Sequence, residues 1–461
     1  LLTWRFDKTT VNYLPLRTYN INPAFKNKRM RRIIIIFIAF GIFSCNPNKE
    51  IKKGDKTGNY SGVIKHGNFF DKILFEIEQD SASFKVFFTS LEQNANRIPF
   101  QGIVLSGDSI SFKLQSDFYT YSFKNKWIEN NSKLQGTLTV DTITVPYTLE
   151  KELLVNKQNP KNEDVSFESN ELKLNGTIWY SKNGGSKAIV ILTSSGNSDR
   201  SASRAEAIMF AQRGFTAFHY DKRGTGNSDG NWQAATIEEL SMDDINAIKY
   251  FSDKTGIPLT NIGIKGSSQG ATKIPYVLGE LKDLKYGIAV SCPGVTLLES
   301  DLNYWRNRNA EALGKDIEDA AVLQGKVFEY IAGELSRTEI EKALAIEKSE
   351  SWFANIWVPN LDEVKTDKKL LYSPIPYFET TKQPILILQG TLDEIIPANS
   401  HEFISNALTK SSNSNFETIL LDGASHSMYY VGESDFPYWS KLHPDYLKTI
   451  EDWINTVSNI K

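Results

Sequence analysis

In 461 residues, 40% of them hydrophobic and 23% charged, the chain has the make-up of a globular protein, and it is long enough for two domains. A formal net charge of -3, with no dense basic run outside the extreme N-terminus, excludes the electrostatic footprint of a nucleic-acid binder, so no nucleic-acid partner is expected. Function has to be sought in local constellations of residues.

The first such constellation is Met30-Arg31-Arg32 followed by the apolar run 33–43, a basic start with a hydrophobic segment too short for a comfortable membrane span, ending at Ser44-Cys45. It resembles a bacterial lipoprotein signal, with Phe43 bulkier than the residue usual at that place. The resemblance implies that Cys45 is lipidated and becomes the mature N-terminus. The protein would then sit in the bacterial cell envelope, periplasmic or associated with the outer membrane, with the lipid as its membrane partner. Residues 1–45 are thus read as an upstream segment and signal peptide, with translation starting at Met30. Residues 46–58, rich in Asn, Lys and Gly, read as a solvated tether. Once Cys45 carries lipid, Cys292 has no partner for a disulfide within the chain, and it reads as a small core residue closing an apolar strand.

Residues 59–150 are a succession of short runs in which apolar and polar side chains alternate, such as Ile73-Leu74-Phe75-Glu76-Ile77-Glu78 and Ser109-Ile110-Ser111-Phe112-Lys113-Leu114. Gly107-Asp108, Gln79-Asp80 and Asn130-Asn131 mark turns between them. The pattern predicts a small all-β domain, an antiparallel sandwich or barrel. It holds no cluster of His, Cys and carboxylates, and is read as a supporting or recognition domain. Residues 151–163, with Asn159-Pro160 and several lysines, read as a linker.

From residue 164 to 461 the pattern changes to α/β. Continuous apolar runs at 187–192, 215–220, 286–290 and 385–388 alternate with helical stretches at 202–212 and 237–252, and 416–421 gives a last strand. Buried β-branched runs separated by helices predict a mostly parallel sheet with helices on both faces. Residues 293–377 interrupt the alternation with helix-forming and aromatic residues, including Trp305, Trp352 and Trp357. They are read as a helical cap inserted over the ligand-binding end of the sheet, its aromatics lining an apolar pocket for an acyl group.

Asn261-Ile262-Gly263-Ile264-Lys265-Gly266-Ser267-Ser268-Gln269-Gly270 organises this half of the chain. A short strand, a Gly-x-Ser-x-Gly turn and a helix-compatible stretch follow one another, which exposes a strained serine at the edge of a sheet. Ser268 is the nucleophile candidate. Gly226-Asn227-Ser228-Asp229-Gly230 repeats the spelling without the strand and helix, and Ser228 is discounted. A serine hydroxyl needs a base, and the base needs an acid to hold its tautomer. Beyond Ser268 stand His401, His426 and His443. His426 lies in a small-residue loop directly after the last predicted strand and is preferred, whereas His401 and His443 read as surface or capping residues. Asp393, after the strand at 385–388, is the acid candidate, with Glu394 as its rival. No metal and no cofactor is implied.

The order Ser268, Asp393, His426 is that of α/β-hydrolases. Residues 165–461 resemble an α/β-hydrolase of the serine aminopeptidase-like or esterase group. Asp221-Lys222-Arg223-Gly224-Thr225-Gly226-Asn227-Ser228 is similar to that group's loop after the fourth strand, and Ser195-Gly196-Asn197-Ser198-Asp199-Arg200 to its oxyanion-side loop. With the N-terminal β domain, the whole resembles exported bacterial esterase-like hydrolases. The resemblance implies backbone oxyanion donors at Ser195 and Gln269, although Thr193-Ser194 stands where the group usually has His-Gly. The function expected is a serine hydrolase that cleaves small carboxylic esters through an acyl-enzyme. Two alternatives stay open. One is an aminopeptidase acting on small peptides, with Glu299, Asp301, Asp316, Glu318 and Asp319 of the cap holding the substrate amine. The other is a non-catalytic envelope binding protein on a hydrolase scaffold.

Overall fold

The computed structural model describes residues 55–80, 83–116, 119–152 and 160–458. Cys45, the signal segment and most of the tether lie outside the described residues. Among the described residues no helix is long and apolar enough to cross a membrane.

The N-terminal part is a nine-stranded antiparallel sheet built from β1 (Gly58–His66), β2 (Phe69–Gln79), β3 (Phe84–Ser90), β4 (Ala95–Pro99), β5 (Gln101–Ser106), β6 (Ser109–Gln115), β7 (Thr120–Ile128), β8 (Lys133–Val140) and β9 (Ile143–Lys151). Its order, β4-β3-β2-β1-β9-β8-β7-β6-β5, puts two consecutive strands at opposite edges. Only Phe100 separates β4 from β5, and its N–H bonds to the carbonyl of Val86 in β3 at 2.9 Å, so the sheet curls until its edges meet. Of the two forms expected, the barrel is the one formed. Alternate residues point inward, as in the buried-exposed alternation of β2, and fill the interior with aromatics. Phe75 lies edge-on to Phe100, Phe112 and Phe123 at ring distances of 5.2, 5.3 and 5.5 Å.

The second part carries an eight-stranded sheet: β10 (Asn162–Ser169), β11 (Leu172–Trp179), β12 (Ala188–Ile191), β13 (Thr216–Tyr220), β14 (Ile262–Ser267), β15 (Tyr286–Val290), β16 (Ile385–Gly390) and β17 (Phe416–Leu421). The order is β10-β11-β13-β12-β14-β15-β16-β17, parallel throughout except for the pairings of β11 with β10 and with β13. Helices α1 (Ser201–Gln212) and α9 (Tyr446–Ser458) bury one face; α2 (Ile237–Thr255), α3 (Gln269–Glu280) and α8 (Ser400–Lys410) bury the other. This is the α/β-hydrolase topology. The segment read as linker is shorter than 151–163: Lys151 still belongs to β9, and β10 begins at Asn162. Only Val165 and Phe167 of this edge strand are buried hydrophobics among polar neighbours, a pattern too sparse to read as a strand.

Between β15 and β16 stand α4 (Leu297–Leu313), α5 (Ile317–Ala332), α6 (Arg337–Glu347) and the short α7 (Ile375–Phe378). The expected role of the cap aromatics is not what the structure shows. Trp305 and Trp352 are buried in a core of the cap's own with Val327, Phe328 and Ile340, and Trp357 packs against it. A detached helical layer has to bury its own apolar face, and the tryptophans serve that need.

The two parts share a core. After β17 the chain runs through residues 431–442, and from there Phe436 and Trp439 enter the barrel's hydrophobic interior. Trp439 packs on Tyr121 and Phe88 at ring distances of 5.3 and 5.7 Å, and its indole N–H donates to buried Asp71 at 2.8 Å. Asp71 also accepts from Ser90 and Gln93, and its burial outweighs the nearby Lys441 and pushes its pKa up to about 7. Trp439→Ala should therefore lower the unfolding free energy by about 3–5 kcal/mol, since it opens a cavity and removes a donor from a buried carboxylate. Urea denaturation followed by tryptophan-independent circular dichroism checks this; a loss below about 1 kcal/mol would mean that the barrel is stable without the insertion.

Candidate active site

The turn after β14 carries the expected nucleophile. Ser268 has φ 54 and ψ -126, a conformation costing on the order of 1–3 kcal/mol for a residue with a side chain. Two glycines make it possible: a Cβ on Gly266 would stand 2.3 Å from the backbone of Gly270, and one on Gly270 would stand 3.0 Å from the carbonyl of Thr193. The Ser268 N–H is fixed to the carbonyl of Val290 at 3.0 Å, and α3 begins at the next residue.

The expected base and acid meet. His426 Nδ1 lies 2.9 and 3.0 Å from the two carboxylate oxygens of Asp393, whose side chain is 1% exposed. A carboxylate accepts, so the ring proton sits on Nδ1 and the lone pair on Nε2. Nε2 is buried and has no hydrogen-bond partner among the described residues. Asp393 Oδ1 also accepts from the N–H groups of Ile395 and Ile396 at 3.0 and 3.2 Å, which keeps it aimed at the ring. Glu394, the rival acid, instead faces the backbone N–H of His426 at 3.4 Å. Ser268 and His426 line one cavity of about 180 Å³, though no hydrogen bond joins their side chains in this structure. His401 and His443 stay outside it: the ring of His443 faces the carbonyl of Asp422, and His401 stands beside Glu402.

Ser195 lines the same cavity. Gln269 occupies the first position of α3, where a backbone N–H has no acceptor within the helix, while its buried side chain leaves Oε1 unpartnered. The loop bearing Ser195 is held from below. Lys222 Nζ donates to the carbonyls of Ser194 and Gly196 at 2.7 and 2.6 Å and covers the Trp232 ring. Burial and the charge of Lys273 push the Lys222 pKa down to about 7. Ser194 Oγ donates to the carbonyl of Ser267 at 3.0 Å, so a serine at that place ties the loop to the turn directly.

Three supports were missed in the sequence because each joins segments far apart. Lys273 on α3 forms a wholly buried ion pair with Asp244 on α2 at 2.5 Å and donates to Thr193 Oγ at 2.8 Å. Lys265 pairs with Glu206 at 2.8 Å and donates to Ser267 Oγ at 2.7 Å, with the Tyr446 hydroxyl on the other Glu206 oxygen. Ser291, with φ 46, donates its hydroxyl to the His426 carbonyl at 2.7 Å. A Lys five residues past a Gly-x-Ser-x-Gly serine is a visible signal, but nothing local marks its partner. Ser228 proves structural: it accepts the Asn175 N–H at 2.9 Å and donates to the Asp221 carbonyl at 2.7 Å. Cys292 is buried, its thiol pKa driven well up by desolvation.

No residue of 293–377 lines the cavity. The cap instead props the acid loop, with Asn303 and Asn307 of α4 donating to the carbonyls of Ile395 and Glu394 at 2.9 Å each. None of the five cap carboxylates considered for amine binding reaches the cavity; Glu299 caps α4 with Thr296, and Glu318 pairs with Arg306. A groove of about 790 Å³ on the barrel shares no residue with this cavity and carries none of its chemistry. Among the described residues no group of three or more His, Cys, Asp and Glu could hold a metal ion.

The buried ion pair gives a test of how the turn is supported. Lys273→Met leaves Asp244 charged and unpaired and should cost about 3–5 kcal/mol in urea denaturation, whereas Lys273→Met with Asp244→Leu should restore most of that. Equal losses in both variants would show that packing rather than charge compensation is at stake.

The family described as serine aminopeptidase, S33 matches residues 184–434, a stretch from before β12 to beyond His426. Similar solved structures include an esterase of Pyrococcus furiosus, 16% identical over 66% of this chain and 92% of that one, with a TM-score of 0.44. Est1E of Butyrivibrio proteoclasticus, solved with ferulic acid, is 16% identical over 64% and 99% of the two chains, with a TM-score of 0.40. Dipeptidyl peptidase 4 of Porphyromonas gingivalis is 14% identical over 85% of this chain and 55% of that one, with a TM-score of 0.41. A search of curated proteins gives no match. The family match spans more than half of the chain and includes the Ser268 turn, Asp393 and His426, and the chain therefore belongs to the serine aminopeptidase S33 family of hydrolases.

Proposed function

We propose that this hydrolase cleaves small carboxylic esters through an acyl-enzyme on Ser268. Ser268 Oγ attacks the ester carbonyl while His426 Nε2 takes its proton; Asp393 holds the ring and stabilises the imidazolium. The carbonyl oxygen, now negative, accepts from the N–H groups of Gln269 and Ser195. Collapse expels the alcohol, which takes the proton from His426, and water repeats the sequence on the acyl-enzyme to release the acid and restore Ser268.

The observation that carries this reading is the His426 ring, held by Asp393 on Nδ1 while its Nε2 is buried and unpartnered beside a cavity that Ser268 also lines. An ester is favoured over a peptide because the cavity offers no free carboxylate for an α-ammonium. Glu206 is paired with Lys265 and Tyr446, and Asp199 accepts the Ser201 N–H at 2.8 Å with Arg200 and Arg204 offsetting its charge.

The test is kinetic, with p-nitrophenyl esters run beside aminoacyl p-nitroanilides. Ser268→Ala should lower kcat on esters by on the order of a millionfold, His426→Ala comparably, and Asp393→Ala by on the order of ten-thousandfold. Fluorophosphonate labelling that survives Ser268→Ala, or faster turnover of the anilides, would overturn the proposal.

Lipid anchoring at Cys45 in the cell envelope is a separate proposal, supported by the order of basic start, apolar run and Ser44-Cys45 in the sequence. Cys45→Ala should move the protein from the detergent to the aqueous phase of a Triton X-114 partition. Unchanged partitioning would sink it.

A further inference from the structure

The cavity beside Ser268 is not a property of the hydrolase domain alone. Among its lining residues is Asn94, from the barrel. Asn94 follows the short 3-10 turn Leu91–Gln93 and has φ 52 and ψ 32, a left-handed conformation that asparagine tolerates better than most residues. Its N–H closes the turn on the Leu91 carbonyl at 3.0 Å, while its Oδ1 is buried and has no hydrogen-bond partner among the described residues. A buried amide oxygen without a donor costs about 1–3 kcal/mol, which an arriving donor would recover.

The turn is held in place from the catalytic side. Gln93 donates to buried Asp71 at 2.6 Å, the acceptor that also receives the Trp439 indole N–H. The Gln93 carbonyl accepts from the Tyr429 hydroxyl at 3.3 Å, and Glu92 pairs with Lys441 at 2.7 Å. Tyr429 and Lys441 adjoin Met428 and Leu442, which line the cavity next to His426. The segment that bears the histidine thus also fixes the Asn94 turn. The remaining lining mixes the hydroxyls of Ser195, Ser198 and Ser427 with the charged Arg200, Lys222 and Lys265, has apolar residues beside them, and includes no cap aromatic. A cavity of about 180 Å³ with that lining suits a short, hydroxylated group and not a long acyl chain.

We propose that Asn94 of the barrel is a specificity-determining residue of the active site, its Oδ1 accepting a hydrogen bond from a hydroxyl on a small ester substrate. The proposal rests on the esterase reading above. The hydroxyl can belong to the acyl or to the alcohol part, and matched substrates separate the two. For the acyl side, p-nitrophenyl 3-hydroxybutyrate is compared with p-nitrophenyl isovalerate; for the alcohol side, 2-hydroxyethyl butyrate with propyl butyrate. In each pair a methyl replaces the hydroxyl at nearly constant shape.

Wild-type enzyme should favour the hydroxylated member of at least one pair by tenfold or more in kcat/KM, because a site built to bind a hydroxyl penalises its absence. Asn94→Ala should bring that ratio close to one. Since alanine resists a left-handed φ, Asn94→Gly serves as the second variant: it keeps the turn and lacks the amide, and it should behave in the same way. A ratio near one in both pairs for wild type, or a ratio that persists in both variants, overturns the proposal. Fluorophosphonate labelling of Ser268 distinguishes this failure from that of the esterase reading. Labelled enzyme without hydroxyl preference rejects the role of Asn94 alone, whereas no labelling and no ester turnover rejects both.

Discussion

The constraint on which the rest of the site depends is the left-handed backbone of Ser268. A residue with a side chain is held there only if its surroundings leave no cheaper arrangement, and the surroundings do so from three directions. Behind it, β14 is buried in the middle of the parallel sheet, hydrogen-bonded to β12 and β15. Ahead of it, α3 starts at Gln269 and packs so closely on the strand that Gly266 has no room for a methyl group, while Gly270 stands tight against the carbonyls of Thr193 and Leu192 at the end of β12. Beneath it, the Lys273–Asp244 pair fastens α3 to α2 and, through Thr193, to the loop after β12. Burial drives the Asp244 pKa up even with Lys273 beside it. Such a pair contributes little net stability compared with well-packed apolar residues, but it fixes which helix faces which. That is what a strained turn requires.

The same logic accounts for the histidine. His426 sits on a loop, and loops do not hold a ring in one orientation by themselves. Here the ring is fixed by Asp393 and the N–H of His426 by Glu394, both from the end of β16, and the carbonyl of His426 by Ser291 from the end of β15. The parallel arrangement of β14, β15, β16 and β17 brings these strand ends to one edge, so four loops can converge on one imidazole. The cap contributes from outside by holding the carbonyls of Glu394 and Ile395, a supporting role for a segment whose aromatics looked like a substrate pocket in sequence.

What was legible in the sequence follows from the range of the interactions involved. The strands at Ile385–Gly390 and Phe416–Leu421, the Ser268 turn and the helix at Ile237–Thr255 are encoded by local periodicity and by glycine spacing, and these were readable. Ser268, His426 and Asp393 could be singled out because each follows a strand of a parallel sheet, and topology then brings them to the same edge. The hairpin Asn162–Trp179 was missed because its outer strand lies at the sheet edge, and only Val165 and Phe167 are buried there. Trp305 and Trp352 misled for a different reason: burial in a cap core and burial against a ligand leave the same residue types in a sequence. Trp439 could not be assigned at all, since nothing near residue 439 states that its indole will meet Asp71 across 368 residues of chain.

That last contact changes how the two-domain division should be understood. A chain that folds into two independent cores would keep its active site whole with the barrel removed, and a barrel serving only as a spacer would not need to be sealed by residues from the other domain. Here Phe436 and Trp439 belong to the barrel's interior, and the segment that delivers them starts five residues after His426. Losing the barrel would expose two large aromatics on the segment that follows His426, and the cavity beside Ser268 would lose the wall formed by Asn94. Conversely, Asp71 of the barrel accepts from both Gln93, the neighbour of Asn94, and Trp439, on the segment that follows His426. The β domain and the hydrolase sheet are therefore one mechanical unit at this edge. The barrel's Leu91–Gln93 turn, capped by Asn94, thereby shapes the cavity without contributing any residue to the loops that bear Ser268, Asp393 and His426.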